Sequence, residues 1–285
     1  MKSTRTFLTL LALLALPLTY GLAQTAPRGE ADFDSFWNRT IPSLAPWAAD
    51  PVYAAAGRVT FTGMDGAACR ATLALPSGSG SDDGAVLEVL DRPGTPAVAW
   101  GEARMTRLVT WVARPAGAAA LSPAARTAEV LNLYQATNLL LAAPEVTPGR
   151  VGLYAEGAAA PSALLLAALR PADFAFLVLR DPVWEATSGD APTPAALTTA
   201  AAIAALRVPV LLVVSDRQAP AVLPTWYAWE QFLSVPHREV AVPAASAVMD
   251  LGAWAEGSLA ELAPADSSGA LALLAATVDL GADLP

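Results

Sequence analysis

The chain has almost none of the residues that bind metals, form disulfides or shuttle protons. Its 285 residues include one cysteine, Cys69, and one histidine, His237. A single thiol cannot close an internal disulfide, even in an oxidising compartment. Zinc centres draw on several Cys or His ligands, so no metal is expected, and no cofactor is expected either. Cys69 falls in an alternating stretch, Ala67 to Leu75, and reads as a small buried residue. Asp82 and Asp83 lie in a Gly/Ser-rich stretch without the spaced carboxylates of a calcium loop, and read as a solvated hairpin tip. Charge is scarce as well. Charged residues make up 15% of the chain, against about 25% in ordinary soluble proteins. Lys2 is the only lysine, and the formal net charge is −9. An acidic surface repels phosphate backbones, so nucleic acid is not an expected partner.

The N-terminus reads as an export signal. Lys2 and Arg5 precede an uncharged, Leu-rich run from Phe7 to Leu18, and Gly21-Leu22-Ala23 offers small residues at the two positions a signal peptidase reads. Cleavage is expected after Ala23, with an uncleaved membrane anchor as the alternative. No cysteine follows the run for lipid attachment, and no twin arginine precedes it. The expected organisation is therefore a signal peptide over 1–23 and a single domain over 24–285, secreted or periplasmic. Beyond the signal, no apolar run approaches the ~18 residues that span a bilayer, so no transmembrane span is expected after cleavage.

Along the mature chain the hydrophobic period switches repeatedly. A helix capped by Asp32 or Asp34 is expected over residues 32–48, with Phe33, Phe36 and Trp37 on one face. A hairpin follows, Arg58 to Thr62 and Ala68 to Leu75 about the turn Gly63-Met64-Asp65-Gly66. Strands are then expected at Ala85 to Asp91, Arg107 to Ala113, Val151 to Glu156, Phe174 to Arg180, Val208 to Ser215 and Glu239 to Val242. Helices are expected at Thr127 to Ala143, Ala158 to Leu169, Pro194 to Leu206, Pro224 to Leu233 and Ser268 to Leu280. Runs such as Val208 to Val214 are apolar on both faces, as a covered central parallel strand requires. The reading is an α/β protein with a mostly parallel, eight-stranded sheet covered by helices on both faces.

The stretch Arg150 to Ala160 reads as a strand passing through a sharp turn into an apolar helix. That order of elements, with such a turn, resembles the α/β-hydrolase fold. Within it, three stretches resemble the acetyl xylan esterase / cephalosporin C deacetylase family. Asp32-Phe33-Asp34-Ser35-Phe36-Trp37 is similar to its D-F-D-x-F-W helix. Pro144 to Gly152 is similar to its P-E-V-D-x-x-R-I-G entry to the nucleophile strand. Pro209 to Asp216 is similar to its P-V-L-x-x-x-G-x-x-D strand. The resemblance implies acyl transfer: a serine in G-x-S-x-G attacks an ester carbonyl, a histidine takes its proton, an acid orients the histidine, and backbone amides hold the oxyanion.

The residues at those places do not supply that chemistry. The five elbow positions hold Ala155-Glu156-Gly157-Ala158-Ala159, so the nucleophile position is Gly157. Ser162 falls inside the following helix, off the turn. Glu156 lies beside the nucleophile's place, either as a functional carboxylate or as a group facing solvent or a salt bridge. Asp216 is the candidate remnant of the acid, or else a helix cap or loop anchor. His237 precedes the last strand, whereas the family's histidine follows it; that place holds Ala244-Ala245-Ser246-Ala247. A residue at the strand's start is about one strand length, ~17 Å, from where a general base must act. The Ala158 amide is a possible oxyanion donor. The facing loop, Leu90-Asp91-Arg92-Pro93-Gly94, offers Pro93, which has no N–H, and Asp91, which would oppose a developing negative charge if it points inward; Arg92 is its candidate partner.

In a serine protease, loss of the serine or the histidine alone costs about 10⁶-fold in turnover. With both places empty, the expected protein is a catalytically degenerate pseudo-esterase that serves as a binding or envelope-associated module. Asp91, Glu156 and Trp226 are candidate ligand contacts, although Trp226, Tyr227 and Trp229 also suit packing of their helix onto the sheet. The expected partner is a small molecule, a carbohydrate or an envelope protein. The alternative is a carboxylic-ester hydrolase or deacetylase acting on acetylated carbohydrate through an unconventional site.

Overall fold

The computed structural model describes residues 30–43, 49–75, 84–92, 105–111, 121–144, 146–147, 149–184, 194–233, 238–241 and 251. The expected signal, the last helix and His237 lie outside these residues. Nine strands form one sheet: β1 (Val52–Tyr53), β2 (Arg58–Thr62), β3 (Ala68–Ala74), β4 (Ala85–Leu90), β5 (Thr106–Trp111), β6 (Val151–Glu156), β7 (Phe174–Arg180), β8 (Val210–Val213) and β9 (Arg238–Ala241). Their spatial order is β1-β2-β3-β5-β4-β6-β7-β8-β9. β1, β2, β3 and β5 pair antiparallel, and every pair from β5 through β4 to β9 is parallel. The strand beyond the expected eight is β1, two exposed residues on the sheet edge that alternation over so short a run does not reveal.

Among the described residues the strands are accompanied by the helices α1 (Glu30–Ser43), α2 (Pro123–Leu141), α3 (Ala160–Leu169), α4 (Thr199–Ala205) and α5 (Ala219–Glu230). Alternation along each parallel strand divides the core between the two sheet faces. Leu87, Val89, Leu153, Ala155, Leu177, Leu179, Val210 and Leu212 pack with Phe33 and Trp37 of α1, Val130 and Leu133 of α2, and the buried side of α3 to α5. Val86, Leu90, Tyr154, Phe176, Val178, Leu211 and Val213 form the second cluster, joined by the helical residue Leu251. Cys69 is half-buried rather than buried, because β3 lies in the antiparallel part of the sheet, away from the doubly covered centre.

Two helices begin earlier than their apolar pattern. α2 starts at Pro123 because the Ser122 hydroxyl accepts the Ala125 amide at 3.2 Å and proline suits the first helical position. α5 starts at Ala219 and continues through Pro224, which forfeits one intrahelical bond. The middle of the sheet is fitted closely. Gly152 of β6 faces Phe176 of β7, and a Cβ added there would stand 2.1 Å from the ring's Cζ. Gly152→Ala is therefore expected to lower stability by about 1–3 kcal/mol through overpacking. Urea unfolding checks this, and the penalty should disappear in a Phe176→Ala background, where the ring is gone.

Candidate functional site

Parallel strands bring their C-terminal ends to one edge, and ligand sites in open α/β sheets collect there. Here that edge carries Asp91 after β4, the turn at Gly157 after β6, Asp181 after β7, and Ser215 and Asp216 after β8. β6 leads into a 3-10 turn, Gly157–Ala159, and then directly into α3. Gly157 is buried with φ +60°, a conformation that side-chain-bearing residues rarely adopt. The Ala160 and Val183 amides both donate to the Gly157 carbonyl, the latter at 2.9 Å. The sharp strand-to-helix elbow is thus present and tied down on two sides, with no side chain at its apex.

That apex is filled from the neighbouring strand. A Cβ placed on Gly157 would stand 2.8 Å from Asp91 Oδ2, 3.2 Å from its Cγ and 3.7 Å from its Cβ. Asp91 follows directly on Leu90, at the end of a strand that runs beside β6 in register Val89↔Ala155. Its side chain retains 21% exposure, and the Nε of Arg92, 81% exposed, lies 3.7 Å from Oδ2. An ion pair so open to solvent contributes little, about 0–1 kcal/mol.

Glu156 points away from the apex, to the face of the sheet that holds Tyr154. The Tyr154 hydroxyl donates to Glu156 Oε2 at 3.3 Å, and Glu156 pairs in register with Arg180. Burial raises the Glu156 pKa, with Asp91 and Asp181 adding to the rise, while Arg180 and the Tyr154 hydroxyl act against it. Burial also pushes the Tyr154 phenol up, assisted by Glu156 and opposed by Arg180, so it stays a neutral donor. One strand inward on the same face, the fully buried Glu88 takes the Arg107 Nε at 2.5 Å.

The remaining candidates are placed as follows. Asp216 is exposed, just beyond β8. Ala158 is half-buried in the elbow turn. Ser162 is fully buried inside α3, its hydroxyl without a hydrogen-bond partner. Trp226 is fully buried, stacked on Trp184 with ring centroids 6.2 Å apart, and Trp184 meets Trp229 edge-on at 5.5 Å. Tyr227, next on the same helix, is exposed. Pro93 and Gly94 lie outside the described residues, as do His237 and 244–247. Arg238, next to His237, pairs with Val210, the first residue of β8, and so stands at the edge where the parallel strands begin.

Asp181 is a residue that sequence patterning did not single out. It is a non-glycine residue at φ +42°, held there because its carboxylate accepts the Ser215 amide at 2.7 Å and its own amide donates to the Val213 carbonyl. Its only signal in sequence is its place directly after a strand. Among the described residues, no group of His, Cys, Asp and Glu is arranged to hold a metal ion, and no helix is long and apolar enough to cross a membrane.

The architecture is the α/β-hydrolase fold. Solved structures similar to it include an acetyl xylan esterase from Paenibacillus sp. R4, with a TM-score of 0.61 and 14% identity over 85% of this chain and 96% of that one. Acetyl xylan esterase 1 from Thermoanaerobacterium sp. JW/SL YS485 gives 0.59 and 16% identity over 84% and 96%. A dienelactone hydrolase from Anabaena variabilis ATCC 29413 gives 0.51 and 18% over 73% and 95%. No protein-family model matches the chain, and no curated protein matches it.

The approach of Asp91 to the elbow can be measured. The 3.7 Å between the Asp91 Cβ and a Cβ at 157 lies within the span a disulfide bridges, about 3.5–4.5 Å. Asp91→Cys with Gly157→Cys, in a Cys69→Ser background, is expected to close an intrachain disulfide under mild oxidation and leave no titratable thiol. Two thiols persisting after oxidation would place Asp91 elsewhere.

Proposed function

We propose that the protein is an exported, catalytically degenerate member of the α/β-hydrolase fold that acts as a binding or envelope-associated module. The observation that carries this reading is the Asp91 carboxylate in the space above Gly157, 2.8 Å from where a side chain would begin. The apex offers no atom that could attack a carbonyl from residue 157. The group in its stead is an anion, which repels the oxyanion that acyl transfer must stabilise. The chain's only histidine directly precedes Arg238, whose strand opens at the opposite sheet edge. The cleft at the strand ends is kept as a place for a small molecule or a carbohydrate, since hydroxyl groups donate well to carboxylates. The basic start and apolar run at the N-terminus support export to the periplasm or beyond.

The test is an assay of the purified mature protein with acetylated sugars and a chromogenic acetyl ester, together with a fluorophosphonate probe for activated serines. The expected result is turnover at the level of the buffer blank and no covalent adduct by intact mass. Turnover well above blank that Asp91→Asn or Asp216→Asn abolishes would instead establish the second reading. That reading is a carboxylic-ester hydrolase or deacetylase with an unconventional site, and it draws on the likeness in fold to the acetyl xylan esterases.

A further inference from the structure

We propose that the side-chain place of the elbow has passed from residue 157 to Asp91. A ligand in the cleft then meets the Asp91 carboxylate where a hydrolase of this fold presents its nucleophile, and the site favours ligands that bring a hydroxyl or ammonium donor over anions. The inference rests on the binding reading above and names the chemistry that the cleft selects.

Three observations carry it. The first is steric. The three nearest atoms that a Cβ on Gly157 would meet all belong to Asp91, so among the described residues it is this side chain that stands closest to the vacated place. The second concerns the elbow's own backbone. Gly157 keeps the left-handed φ of +60° and the turn still opens α3, so the apex presents whatever side chain occupies it to the strand-end edge. The third is a reason for an anion to settle there. Neither Glu156 before the 3-10 turn nor Ala159 before α3 makes a side-chain cap bond, so the amino end of the turn and helix has no capping group of its own. A carboxylate near a helix amino end is favoured by the helix dipole. Asp91 supplies that charge from the next strand.

The carboxylate remains reachable. Its side chain is 21% exposed, and its ion pair with Arg92 is long and open to water. Arg180 is engaged with Tyr154 and Glu156 on the sheet face. The charge at the apex is therefore negative, reinforced by Glu156 and Asp181, and it sorts ligands by sign.

The test uses charged thiol reagents on the full mature chain. Gly157→Cys in a Cys69→Ser background sets one thiol beside Asp91. A cationic methanethiosulfonate is expected to modify that thiol about tenfold or more faster than an anionic one, and adding Asp91→Asn should bring the two rates together. Equal rates with Asp91 in place would overturn the proposal. If Gly157→Cys does not fold, the unsubstituted elbow provides the readout. The Gly157 amide resonance should shift as acid titrates Asp91, and its largest acid-range shift should vanish in Asp91→Asn; a Gly157 resonance indifferent to that substitution would overturn the proposal equally. Esterase turnover, which would end the binding reading, leaves both of these readouts unchanged, so the two failures are told apart.

Discussion

The contact between the Asp91 carboxylate and the bare apex at Gly157 is the constraint on which the site depends. Two features must coexist for it to form. The backbone at 157 must hold a left-handed turn, which glycine adopts at little steric cost and other residues adopt under strain. The end of β4 must lie beside the end of β6, which the parallel register between these strands provides. Given both, the carboxylate fits because glycine leaves the apex without a side chain. A side chain at 157 would oblige the Asp91 carboxylate to give way, so the bare apex and the inward carboxylate belong to one arrangement seen from two strands.

The rest of the architecture holds that arrangement still. The elbow carbonyl is tied to α3 and to the segment after β7, and that segment is tied in turn to β8 through Asp181 and to α5 through the indoles of Trp184, Trp226 and Trp229. Beneath it β4 and β8 are buried throughout, and β6 and β7 are buried up to their last residues, Glu156 and Arg180, with Gly152 making room for the ring of Phe176. The strained backbone at Asp181 is stabilised by two hydrogen bonds, which set the start of the segment after β7 in a defined conformation.

The strands were legible in the sequence wherever both faces are buried or a turn is sharply marked. Arg58 to Thr62, Val151 to Glu156 and Phe174 to Arg180 stand at their expected bounds, because continuous apolar runs and Gly-rich turns leave few alternatives. The helix starts at Pro123 and Ala219 were missed because Ser122-Pro123 and Pro220 act through capping and fixed φ, which apolar periodicity does not report. At the site, the empty apex could be read from one residue, and the loop with Asp91 could be identified as facing it. The direction of the Asp91 side chain could not be read, since it follows from the register of β4 against β6. Trp226 shows the same limit: an aromatic on a helix beside the strand ends suits a ligand or a core, and its burial against Trp184 follows from tertiary packing that periodicity does not report.

The central claim is that residue 91 and not residue 157 provides the side chain at the apex of the elbow. A crystallographic map of the mature protein tests it most directly. The account predicts density for the Asp91 carboxylate in van der Waals contact with Gly157, over an elbow whose glycine keeps a positive φ. A carboxylate turned out to solvent, with an open volume above Gly157 able to admit an acyl group, would contradict it.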